Sequence, residues 1–267
     1  MKRVLIAVFL VLALPVSAAV SEPGKQVDKQ DKPVPVPVGE RQFSFVRANL
    51  VSTFYHEFAH ALIDQLDLAV LGQEEDAADV LSAVLLNRYF HGPALFALAH
   101  DTAFGFKADA RAVERSGDGW AWWDEHGLDW QRYYTFVCLF YGADPTLRAW
   151  FARAMGLPGS RAERCGDEYA LARASWGPVL DDISGHGPGH SLSFRSRARS
   201  ARQQRAAEVI GTEVDRLNQS YALPETVKVT VRHCRADSSL AAFYTEGRRK
   251  ITVCTEYIDD LYRQAPK

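Results

Sequence analysis

Between residues 43 and 66 apolar side chains recur at every third or fourth position: Val46, Leu50, Phe54, Phe58 and Leu62, with Val51, Tyr55, Ile63 and Leu66 widening the stripe. That repeat is the 3.6-residue period of an α-helix, and a stripe this wide predicts a helix buried over most of its surface. Within it stand His56, Glu57 and His60. A glutamate in apolar surroundings is costly unless it has a partner or a task. The rest of the chain must therefore cover this helix and satisfy those three polar groups.

His56 and His60 are four residues apart and project from one helical face. Two imidazoles at that spacing can hold one Zn²⁺, with Glu57 in reach of a metal-bound water. The flanking Phe54, Phe58, Ala59, Ala61 and Leu62 bring no competing charge. A catalytic zinc takes three protein ligands and leaves one position open. The next helix, expected from about Gln73 to Tyr89, opens on Glu74, Glu75 and Asp76. The helix dipole alone accounts for acids in a first turn. It accounts poorly for Asp79, which shares a face with Glu75. Glu75 as third ligand and Asp79 as acceptor of a ligand histidine's free ring N–H explain both.

HExxH followed by Glu-x-x-Ala-Asp resembles the gluzincin peptidases, especially the CAAX-type membrane endopeptidases, in which the glutamate is the third ligand and the aspartate supports the site. Three blocks, residues 54–64, 71–79 and 165–171, resemble more closely a bacterial family of exported metallopeptidases known mainly as a domain of unknown function. A fourth, Ala242-Phe243-Tyr244 with residues 251–256, is similar too. The arrangement departs from that family's pattern, in which the strand block with its cysteine pair precedes the HExxH helix. The resemblance implies metal-assisted hydrolysis of peptide or protein substrates. His56, His60 and Glu75 would hold zinc, which lowers the pKa of its water to about 7, and Glu57 would act as general base. His126, Tyr169, His190 and Tyr244 are candidates for a donor to the oxyanion. A non-catalytic zinc-containing envelope protein and a zinc hydrolase of non-peptide amides are the alternatives. Glu57 argues against the first, because a structural zinc usually has four protein ligands and no need of a neighbouring carboxylate.

The chain begins with Lys2 and Arg3, an apolar run from Val4 to Leu14, and small residues through Ala19. Residues 1–19 thus read as a signal peptide, the run being too short to span a bilayer. The proline-rich stretch 20–40 reads as a linker, and 41–267 as one domain. The expected location is exported, periplasmic or secreted. Four cysteines in an oxidising compartment favour two disulfides. Cys234 and Cys254 lie on what read as facing arms of a hairpin (residues 226–231 and 250–254), leaving Cys138 with Cys165. A formal charge of −2 excludes bulk attraction to nucleic acid. Arg195, Arg197, Arg199, Arg202 and Arg205 form a basic run, read as a solvated helix start or a contact to anionic polymers or headgroups. His186 and His190 flank a glycine-rich loop and read as incidental. The fold class predicted is α+β, predominantly α-helical and zincin-like, with an active-site helix pair and a small β element.

Overall fold

The computed structural model describes residues 38–234 and 241–267. Residues 1–19, read above as a signal peptide, and all but the last three residues of the stretch 20–40, read as a linker, lie outside them. Helix α1, Val38–Gln65, is the expected buried helix, and residues 38–40 already belong to it. Its buried residues run on all sides, from Phe45 to Ile63. Helices α2 (Glu74–Tyr89), α3 (Gly92–Ser116), α8 (Ala201–Ser220) and α9 (Thr255–Gln264) pack against it. Helices α4 (Asp129–Gly142), α5 (Pro145–Ala154), the single turn α6 (Gly159–Ala162) and α7 (Cys165–Gly185) form an outer layer on α2 and α3. No described helix is long and apolar enough to cross a membrane.

Local chemistry sets several boundaries. Three acids fill the first turn of α2, where the dipole favours them. Asp144 caps α5 by accepting the Leu147 N–H at 2.9 Å, and Ser200 with Gln203 forms a reciprocal cap on α8. Gly117 ends α3 at φ +74°, a left-handed conformation that glycine adopts at little cost. Along α3, Ala103, Phe104, Phe106 and Ala110 continue the packed face toward Ser116. Tyr55 donates to Glu213 Oε2 at 2.6 Å, and Arg216 Nε donates to the same oxygen at 2.7 Å. The almost fully buried Glu213 carboxylate is thereby paired, and α8 is pinned to α1.

The β element is a four-stranded sheet in the order β1 (Leu192–Ser196), β2 (Val227–Arg232), β4 (Lys250–Cys254), β3 (Ala242–Thr245). The two expected strands are β2 and β4, but the hairpin is a misreading. They pair in parallel, because the connector contains a further strand that turns back antiparallel onto the far side of β4. β1 was not anticipated either, its serines and arginines masking an alternating strand parallel to β2. Parallel neighbours bring their C-terminal ends together, which is why Cys234, just beyond β2, bonds Cys254 at the end of β4. Cys138 on α4 bonds Cys165 at the start of α7. Both expected disulfides are present.

One turn beyond Cys138, Gly142 lets α4 approach α7 closely: a Cβ there would stand 1.9 Å from the Cys165 carbonyl oxygen. That obstacle is backbone and held by a disulfide, so it cannot swing aside. Gly142→Ala is expected to lower stability by about 2 kcal/mol through overpacking. A urea titration checks this as a lower midpoint at unchanged slope.

Candidate metal centre

One face of α1 presents His56 and His60 to the first two turns of α2, with the Ser52 and Ser82 hydroxyls 2.9 Å apart where the helices meet. Small residues at that crossing let the helices approach closely enough for their side chains to meet. His56 Nε2 lies 2.9 Å from Glu75 Oε2 and 3.2 Å from His60 Nε2, and His60 Nε2 lies 3.4 Å from Glu75 Oε2. These three atoms form a group that can hold a metal ion. A tetrahedral zinc with bonds of 2.0–2.1 Å has donor atoms about 3.3 Å apart. The observed triangle fits that edge, and its chemistry of two imidazole nitrogens and one carboxylate oxygen suits the same ion.

The outer ring nitrogens are held as well. His56 Nδ1 lies 2.8 Å from Asp79 Oδ1 and His60 Nδ1 lies 2.6 Å from Glu74 Oε1. A carboxylate can only accept, so when a cation takes each Nε2, each Nδ1 would keep the proton it shares with its carboxylate. Arg132 on α4 closes the far side, Nε and Nη2 donating to the two Asp79 oxygens at 2.8 and 2.9 Å. Burial pushes the Asp79 carboxyl up, but Arg132 and His56 outweigh it and hold it well below the usual range. Burial likewise opposes the charged form of His56, yet the hydrogen bonds to Asp79 and Glu75 raise it to about 9.

Glu57 follows His56 on α1, is 5 % exposed, and lines the same cavity of about 540 Å³. Burial pushes its carboxyl up, while nearby His56 and His60 and the Tyr244 backbone N–H pull it down. β3 thus borders the site: Ala242, Phe243 and Tyr244 line the cavity, and the Tyr244 hydroxyl donates to Asp64 Oδ2 at 2.6 Å. His126, in the α3–α4 connection, reaches Glu75 Oε2 with Nε2 at 2.8 Å and stacks on His56. A second cavity of about 410 Å³ shares His56, Glu57, His126 and Ala242 with the first.

His56, Glu57, His60, Glu75 and Asp79 are therefore brought together. Of the four candidate donors, His126 and Tyr244 line the cavity. Tyr169 lies in a separate one with Arg148 and Arg173, and His190 is in the loop ahead of β1. Among the described residues the other converging group is Cys234, Cys254 and Glu256, whose cysteines are bonded to each other; His186 and His190 belong to neither. Sequence reasoning missed Arg132 and the task of Glu74. The signal for Arg132 was indirect, since a buried Asp79 needs a cation.

The chain belongs to the family described as "Putative metallopeptidase", whose model matches residues 18–180. That description implies a metal ion and peptide or protein substrates. The match covers α1 to most of α7 and stops before the sheet. No curated protein and no solved structure matches the chain.

Arg132→Met would leave Asp79 charged and half-paired, and is expected to destabilise the fold by about 3 kcal/mol. Asp79→Asn and Glu74→Gln keep the shape but loosen the histidines, and should each weaken metal binding roughly 10- to 100-fold. Competition against a chromogenic chelator measures the second effect; unchanged affinity in both variants would remove the two carboxylates from any orienting role.

Proposed function

We propose that the chain is an exported, zinc-dependent peptidase of gluzincin type, with His56, His60 and Glu75 as ligands and Glu57 as general base. The observation that carries this reading is the triangle of donor atoms at 2.9, 3.2 and 3.4 Å with the Glu57 carboxylate on the same cavity wall. Zinc bound there would supply a Lewis acid that acidifies a water and polarises the scissile carbonyl. Every other task falls to side chains of the chain itself. Asp79 and Glu74 hold the two imidazoles in the tautomer that turns Nε2 inward. Glu57, largely desolvated, takes a proton from the attacking water and returns it to the departing amine. His126 Nε2 borders the cavity beside Glu75, in reach to donate to the developing oxyanion.

The substrate is an extended polypeptide, aligned along β3, the edge strand that lines the cavity. Residues 1–19 act as a signal peptide, residues 20–37 as a linker, and the remainder, which opens on α1, as one catalytic domain. Two disulfides support an oxidising destination, periplasmic or secreted.

Two variants separate the roles. Glu57→Gln is expected to retain about one zinc per chain while hydrolysis of a casein or peptide-library substrate falls at least roughly 100-fold. Glu75→Ala is expected to lose the zinc itself. Hydrolysis that survives Glu57→Gln would remove it as general base, and zinc retained in Glu75→Ala would displace the third ligand.

A further inference from the structure

The arginine run that stood out in the sequence is divided by the fold. Arg205 pairs with Glu40 at 2.9 Å and lies over the Phe43 ring, and Arg202 lies over Tyr262, so both are engaged with neighbouring helices. Arg195 and Arg197 belong instead to β1 and its extension, where the Arg197 N–H continues the ladder to the Val231 carbonyl. Side chains alternate between the faces of a sheet. Leu192, Val227, Val229, Val231, Ile251 and Val253 point inward and are buried. Phe194 points the same way, its ring 3.1 Å from where a Gly211 Cβ would stand on α8.

The register then fixes the outward face. Lys228 lies opposite Lys250, Arg195 opposite Thr230, and Arg232 opposite Cys254. None of the outward strand positions carries an acid. Arg248, in the turn between β3 and β4, adds to one end. Two polar atoms at outward positions, Arg232 Nε and Thr252 Oγ1, are buried and have no hydrogen-bond partner among the described residues. Burial and the repulsion of Arg232, Arg197, Arg248 and Lys228 push the Lys250 ammonium down. A chain with formal charge −2 has thus gathered cations on one face where they repel one another. Such an arrangement costs stability unless an anionic partner compensates it.

We propose that the outer face of the sheet, built on Arg195, Arg197, Lys228, Arg232 and Lys250, is a docking surface for acidic stretches of the polypeptide substrate. The inference rests on the peptidase reading above and adds to it a substrate class. A polypeptide is favoured over a membrane because β3, which bounds this face, also lines the metal cavity, so a chain leaving the cavity along β3 passes onto it. The exposed large apolar side chains, Trp122 and Trp123 among them, are not at its outward positions. Glu74, Glu125 and Glu246 line the cavity and repel acids near the scissile bond. The fitting substrate is therefore bipolar, with neutral or basic residues at the cleaved bond and an acidic tract beyond.

The test uses the full mature chain as the Glu57→Gln variant, which binds without turnover, and a fluorescent glutamate-rich peptide followed by anisotropy. Binding is expected to exceed that of a glutamine-rich control, and to weaken at least tenfold between about 50 and about 500 mM NaCl, as screening requires. Adding Arg195→Ala with Lys228→Ala, both exposed, should weaken it about tenfold, and Lys228→Glu further; circular dichroism verifies that each remains folded. Equal binding of the two peptides, or affinity unchanged in the charge variants, would overturn the proposal. So would capture by vesicles of phosphatidylglycerol and phosphatidylcholine without any binding of the acidic peptide. Selective peptide binding by a chain whose wild type hydrolyses nothing would leave the docking surface standing and sink only the peptidase reading. Hydrolysis without that selectivity would do the reverse.

Discussion

The Asp79 carboxylate, held between the His56 imidazole and the Arg132 guanidinium, is the interaction on which the rest of the centre depends. It ties α1, α2 and α4 together with a largely buried charge, and burying one charge obliges the fold to bury its partners. Two consecutive helices and a third from later in the chain are thereby fixed to within hydrogen-bond tolerance. What this arrangement does for the site is more specific than stability. With Nδ1 of His56 occupied by Asp79 and Nδ1 of His60 by Glu74, both Nε2 atoms face Glu75. Two imidazoles, one carboxylate and the neighbouring Glu57 crowded into a desolvated space are a poor stability device. They are a good metal-binding one, and departures from local economy of this kind are expected at functional sites.

The centre was legible in the sequence because its geometry is local. His56 with His60, and Glu75 with Asp79, are each four apart on a helix, so spacing alone places each pair on one face. The partners that tertiary packing chooses were not legible. Arg132 lies 53 residues from Asp79, and no periodicity links them. Glu74 looked fully explained by the dipole of α2, which concealed its contact with His60. A reason that suffices for a residue does not exhaust what it does.

The same distinction runs through the fold. Alternation exposed β2 and β4 but could not set their direction, since a strand has the same period in parallel and antiparallel pairs. β1 was hidden because four of its five residues are exposed, so its outward arginines dominated the pattern. Gly105 in α3, which looks like a breaker, is a packing contact: a Cβ there would meet Asn49 Oδ1 at 1.9 Å. The family match ends before the sheet and does not cover the strands that border the cavity. They supply the edge strand beside Glu57 and, on the opposite face, the cluster of cations.

The central claim concerns one point in space, and zinc-edge X-ray diffraction on crystals of the mature wild-type protein addresses it directly. The expected result is a single strong anomalous peak at about 2.0–2.1 Å from His56 Nε2, His60 Nε2 and a Glu75 carboxylate oxygen. A peak ligated by other residues, or no peak from protein purified without chelators and supplied with zinc, would contradict the account.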